Sequence, residues 1–189
     1  MSGPTISPAL LATSRDTLAI ARIAARKGRA ADLTNTVRGR FGIELPDGPK
    51  RVQANELAFI GVGVATWLAV SECELADNGL DGFAASLRNI VDESATVSDQ
   101  IGGYSVLRLT GRRVTQVLAK FVALDLHPRV FVPGSAASTL GSHIPLTLWR
   151  LEDSAAGLAV FELAVPRSYT TDFRHLLSAS AAEFAATAG

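Results

Sequence analysis

The period of apolar and polar residues changes several times along the chain, and each change marks an element. "TLAIARIAA" (Thr17 to Ala25) reads as a strand, and helical spacing follows over 30–41. Pro46, Gly48 and Pro49 in "IELPDGPK" end that region, because proline lacks an amide donor and fixes φ. The run "LAFIGVGVATWLAV" from Leu57 to Val70 reads as a buried hairpin. Gly61 and Gly63 are expected at its turn, since glycine reaches positive φ at little cost. In "GLDGFAASLRNIVDE", Leu80, Phe83, Leu87, Ile90 and Val91 recur at three- and four-residue spacing and predict one apolar helix face. The second half runs through the same order. "YSVLRLT" from Tyr104 is a strand, "RRVTQVLAKF" a helix, "HIPLTLWRLE" and "LAVFELAVP" two strands around "DSAAG", and a last helix runs from about Tyr169 through Phe184.

The chain therefore reads β-α-β-β-α twice. "GRAADL" and "GRRVTQVL" open the first helix of each half, with Phe41 and Phe121 near their ends, and "IELP" corresponds to "LDLHP". "TWLAVSE" matches "FELAVPR", and Phe83 with Leu87 matches Phe173 with Leu177. This predicts an α+β fold of two split β-α-β-β-α (ferredoxin-like) halves, about 15–94 and 95–189, packed together because either alone would be a marginal core. Residues 1–14, with Pro4 and Pro8, are expected as a flexible N-terminal arm before a single duplicated domain over 15–189.

Composition narrows the partners. The 189 residues carry 18 basic and 18 acidic side chains, a balance that gives no general pull on nucleic acid. The longest apolar run falls short of the roughly 20 residues a membrane span needs, and the start lacks a secretion signal. With a single cysteine, Cys73, a disulfide framework within one chain is excluded, and a reducing, cytoplasmic setting is expected.

Candidate chemistry is sparse. A metal site would need His127, His143 and His175 to converge with acids such as Asp125 and Asp172, and none stands in a ligand spacing, so no metal is expected. "GSAAS" and "GSH" lack the nucleophile-elbow pattern, and Glu72 and Glu74 beside Cys73 oppose thiolate formation. "GVG" and "IGG" do not join a strand to a helix as a phosphate loop does. The basic cluster "RKGR" with Arg22, Arg38 and Arg40 reads as a solvated face or protein contact. "LDLHPRVFVPGS" (Leu124 to Ser135) adds His127 and Arg129 to a stiff helix exit, and "VPRSYTTDF" offers Ser168, Thr170 or Thr171 as caps, or Arg167 and Tyr169 as partner anchors.

"LDLHPRVFVPG", "HIPLTLWR" and "FELAVPRSY" together resemble the sarcosine oxidase gamma subunit family. The likeness covers the last half of the chain well and the first half in order and length. It implies a fold similar to the folate-binding domain of the glycine-cleavage T-protein. It also implies a heterotetrameric complex with alpha and beta (and delta) subunits that demethylates sarcosine to glycine, passing the methyl carbon to tetrahydrofolate. FAD, FMN, NAD and tetrahydrofolate are implied in the larger subunits, with no cofactor and no catalytic residue in this chain. The expected role is an accessory one, with His127, Arg129, Phe131, Trp149, Arg150, Arg167 and Tyr169 as the partner interface. The alternatives are a stand-alone folate-binding or aminomethyltransferase-like protein, for which Asp125 and Glu162 are the acids to examine, and a gamma-like subunit of a related demethylating dehydrogenase.

Overall fold

The computed structural model describes residues 5–7, 10–72 and 79–185. Cys73 and most of the N-terminal arm short of Leu10 lie outside them, and so does the side chain of Leu80. The chain divides into two compact units. The first spans Thr17–Gly103; the second joins the residues up to Asp16 to those from Tyr104 onward.

The strands are β1 (Thr5–Ser7), β2 (Leu10–Ser14), β3 (Ala19–Ala25), β4 (Arg51–Ala54), β5 (Leu57–Gly63), β6 (Thr66–Ser71), β7 (Ala95–Asp99), β8 (Tyr104–Thr110), β9 (Ala136–Gly141), β10 (Ile144–Leu151) and β11 (Val160–Pro166). The helices are α1 (Ala30–Phe41), α2 (Gly79–Val91), α3 (Val114–Leu118) and α4 (Thr170–Ala185). The first unit's sheet runs β4-β5-β6-β3-β7 and the second's, read from the same edge, β9-β10-β11-β8-β2-β1. All pairings are antiparallel. Each sheet is thus a four-stranded ferredoxin-type arrangement with an extra edge strand, β4 or β9, at equivalent positions; the second sheet carries β1 as a further strand at its other edge.

The repeat predicted from the sequence is therefore present, with one exchange. Each helix pair is completed by a fifth strand that the β-α-β-β-α reading lacked. In the first unit this is β7, which follows α2 and pairs with β3; in the second it is β2, which pairs with β8 from the far end of the sequence. Residues 95–99, expected to begin the second half, thus belong to the first sheet. Leu10–Ser14, expected within a flexible arm, is a strand whose Leu10 and Ala12 are buried in the second core.

Apolar spacing explains which faces are covered. In the first unit Leu33 and Val37 of α1 and Phe83, Leu87 and Val91 of α2 close over Ala21, Ile23, Phe59 and Ala69. In the second, Phe173, Leu177 and Ala181 of α4, four residues apart, meet Leu107, Leu109, Leu148 and Leu163. Phe121 and Phe173 pack edge to face with ring centres 5.8 Å apart. Gly42 ends α1 in the left-handed conformation, its amide donating to the Arg38 carbonyl at 2.9 Å. The helix expected to reach Phe121 stops at Leu118, where the bonding tightens to Lys120 N to Val117 O and Phe121 N to Leu118 O.

The glycines of "GVG" are not at the hairpin turn. Gly61 and Gly63 lie within β5, at a register irregularity, and the turn is made by Val64 and Ala65, the latter at φ 48°. Gly61 is there for space: a Cβ on it would lie 2.0 Å from the Gly48 carbonyl oxygen.

Candidate functional site

A charge inside an apolar strand must find a partner when buried. Arg108 interrupts β8 and Glu162 interrupts β11, and the antiparallel register sets them opposite each other. The same row continues to Thr13 of β2 on one side and to Trp149 of β10 on the other. Glu162 is 2% exposed. Its Oε1 accepts from Arg108 Nε at 2.9 Å and Nη2 at 2.7 Å, and Arg15 Nε stands 3.4 Å away. Its Oε2 accepts from the Trp149 indole N–H at 2.9 Å. Both carboxylate oxygens are thus committed to fixed donors, and the group fastens β8, β10 and β11 to one another and to Arg15, just past the end of β2. The face carrying it is opposite to the one under α3 and α4. The signal in the sequence was the pair of lone charges in "SVLRLT" and "VFELAV"; what it lacked was the register.

The segment from Leu124 to Ser135 is held at every turn. Asp125 Oδ1 accepts the His127 amide at 2.9 Å, and His127 Nδ1 accepts the Arg129 amide at 3.2 Å. That places the ring proton on Nε2. The His127 carbonyl receives the amides of Val130 at 2.8 Å and Phe131 at 2.9 Å. Phe131 turns inward and stacks on Phe161 with ring centres 6.1 Å apart. The buried Arg150 guanidinium donates to the Phe131 carbonyl at 2.8 Å and to Asp153 Oδ1 at 2.8 Å. The first unit fixes its corresponding loop differently, by the Trp67 indole donating to the Pro46 carbonyl at 2.9 Å.

These contacts correct the expected interface. Phe131, Trp149 and Arg150 are buried within the chain, because each has a packing or hydrogen-bond task there, and they offer no surface to a partner. His127 and Arg129 are exposed at one end of the second sheet, while Arg167 and Tyr169 are exposed past the other end of β11, beyond Pro166. Arg167 donates to the Tyr104 carbonyl at 3.1 Å, and Thr170 donates to the Arg167 carbonyl at 2.9 Å as the local turn bond before α4. The seven residues are not one patch. Sequence reading missed the exposed apolar side chains Val130, Val132 and Leu140, which flank or lie on β9. Among the described residues no three of His, Cys, Asp and Glu cluster to hold a metal ion, and no helix is long and apolar enough to cross a membrane.

A helix-backed antiparallel sheet built twice in one chain defines a duplicated α+β protein with the fold of the glycine-cleavage T-protein. The aminomethyltransferase T of the Bartonella henselae glycine cleavage system superposes with a TM-score of 0.63 at 14% identity, over 88% of this chain and 45% of that one. A chain of the heterotetrameric sarcosine oxidase from Corynebacterium sp. U-96, in complex with pyrrole 2-carboxylate, gives 0.78 at 24% identity, over 96% of this chain and 88% of that one. The chain belongs to the sarcosine oxidase, gamma subunit family, whose profile matches residues 27–183. Sarcosine oxidase subunit gamma of Corynebacterium sp. (strain P-1) is 33% identical over 121 residues, 63% of this chain and 57% of that protein. Its counterpart from Arthrobacter sp. is 33% identical over 137 residues, 70% of this chain and 64% of its own. The matched segments thus span less than two thirds of either relative.

Proposed function

We propose that the chain is an accessory, non-catalytic gamma subunit of a heterotetrameric sarcosine oxidase, stabilising the assembly of the larger alpha and beta subunits in the cytoplasm. The whole complex then demethylates sarcosine to glycine oxidatively and passes the methyl carbon to tetrahydrofolate, with FAD, FMN, NAD and tetrahydrofolate held outside this chain. The observation that carries this reading is the family match over residues 27–183. The geometry supports it: Glu162, the acid best placed to act in a buried site, has both oxygens engaged by Arg108 and Trp149. The test is co-expression with the candidate large subunits and size-exclusion chromatography. The chain is expected to co-elute with flavin absorbance, and elution only as free protein would overturn the proposal.

The T-like fold favours a second reading, a stand-alone folate-binding or aminomethyl-transferring protein. Of the two acids it would draw on, Glu162 has both oxygens engaged as above, and Asp125 is exposed in a loop, its Oδ1 accepting the His127 amide, rather than set in a pocket. Calorimetric titration of the isolated chain with tetrahydrofolate separates the readings, since submicromolar binding supports only the second. A gamma-like role in a related demethylating dehydrogenase differs from the first reading only in its partners, and a substrate screen of the purified complex separates those two.

A further inference from the structure

An open sheet edge is a row of unused backbone donors and acceptors, and proteins normally guard it with charge, proline or a bulge. The two units provide a comparison of equivalent edges. In the first, β4 is headed by Lys50 and Arg51, and β7 at the opposite edge ends in Asp99. In the second, β9 ("AASTLG") carries no charge, no proline and no register irregularity, although it occupies the position of β4. It pairs with β10 alone, apart from a single bridge from Val122 at its Gly141 end. Pro145 has no amide, so its pairing with Leu140 falls at a non-hydrogen-bonded position of the ladder. The alternation then directs the backbone N–H and C=O of Ala136 and Ser138 away from β10. No described backbone group of the chain meets them. Exposed apolar residues accompany this edge: Leu140 within the strand at 54%, and Val132 in the loop that leads into it at 46%.

We propose that β9 is a docking edge on which an extended, uncharged segment of a partner protein chain adds as a further strand, with apolar side chains over Leu140 and Val132. Only an extended backbone matches the spacing of the outward groups of Ala136 and Ser138, which is why the occupant is a strand. Stiffness favours the same conclusion: the loop leading into β9 is pinned by Phe131 and Arg150, so the edge is presented without an ordering cost. The inference rests on the gamma-subunit reading and names the surface that reading requires.

Two substitutions leave the fold in place and close the edge. Ser138→Pro removes an outward amide that β10 does not use and, with it, the hydroxyl contact of Ser138 to Thr147 of β10 at 3.0 Å, while Leu140→Lys, which leaves that contact intact, puts a charge on an exposed position. Val64→Lys, at the tip of the β5–β6 turn, is the control. Each full-length variant is co-expressed with the alpha and beta subunits, and its retained fraction in the complex is measured beside the wild type. Both edge variants are expected to lose about tenfold or more in retention, while Val64→Lys assembles normally. Hydrogen exchange gives an independent reading, with the Ser138 amide expected to become protected in the wild-type complex relative to the isolated chain. Edge variants that assemble like the wild type, or a Ser138 amide that stays unprotected, overturn the docking edge and leave the gamma reading standing. A wild type that never assembles overturns both. An isolated chain that dimerises through β9 overturns the proposal by showing a second copy as the occupant.

Discussion

At the scale of single residues, Glu162 and Ala65 make opposite predictions. Glu162→Ala leaves Trp149 without its acceptor and sets two guanidinium groups side by side. Because the Arg15 and Arg108 side chains retain 22% and 30% exposure, water relieves part of that cost. The expected loss is about 2–4 kcal/mol in urea unfolding, below the upper range for a fully enclosed charge. Trp149→Phe removes only the hydrogen bond and a small volume, and should cost about 1–3 kcal/mol. A larger loss from Trp149→Phe than from Glu162→Ala would show that packing rather than charge pairing holds this row. Ala65 sits at φ 48°, where a Cβ is unfavourable, in a turn whose carbonyl accepts the Ala25 amide at 2.9 Å. Ala65→Gly should therefore raise stability by up to about 1 kcal/mol, the relief of the left-handed strain less the entropy glycine adds to the unfolded chain. A fall in the urea midpoint would count against that account.

At the scale of elements, the two helix-exit loops solve one problem with different chemistry. In the first unit the loop is anchored by the Trp67 indole and seated directly on Gly61, so Gly61→Ala must push the Gly48 carbonyl aside. Overpacking of that kind costs about 1–3 kcal/mol, readable as an increase in exchange at the Gly61 amide, which donates to the Lys50 carbonyl. In the second unit the anchor is Arg150. Arg150→Met fills similar space but strands the Phe131 carbonyl, so a loss of about 1–3 kcal/mol is expected, with faster exchange at Val130 and Phe131. An unchanged exchange rate there would mean that the Phe131–Phe161 stack suffices. The prolines in both loops and the histidine in the second were legible in the sequence as a stiff exit. The anchoring side chains were not, because Trp67 and Arg150 lie on strands about 20 residues away and only the fold brings them under the loops.

At the scale of the whole chain, the duplication was readable because its longer elements repeat their apolar spacing: α1 begins and ends where helical spacing placed it, and β8, β10 and β11 fall on the predicted runs. The short strands β2, β4, β7 and β9 escaped, since four to six residues with one buried side carry little periodic signal. Their loss hid how each sheet is closed, and with it the exchange of β2 and β7. That exchange makes a prediction about the order in which parts of the chain come undone. Removal of residues 1–14 takes away β2, whose Leu10 and Ala12 are buried over the second core, and bares the β8 backbone that it covers from Leu107 to Thr110. Burial of a leucine alone is worth about 1.5–3 kcal/mol, so the second unit should lose at least that much. The first unit is closed by its own β7 and loses no strand. Native-state hydrogen exchange of the truncated chain should therefore show weakened protection in β8 and β11 with β3 and β6 kept near their original values. Equal weakening of both sheets would mean that the two units do not open separately. Protection of β8 unchanged by the truncation would mean that β2 adds no stability to the sheet it completes.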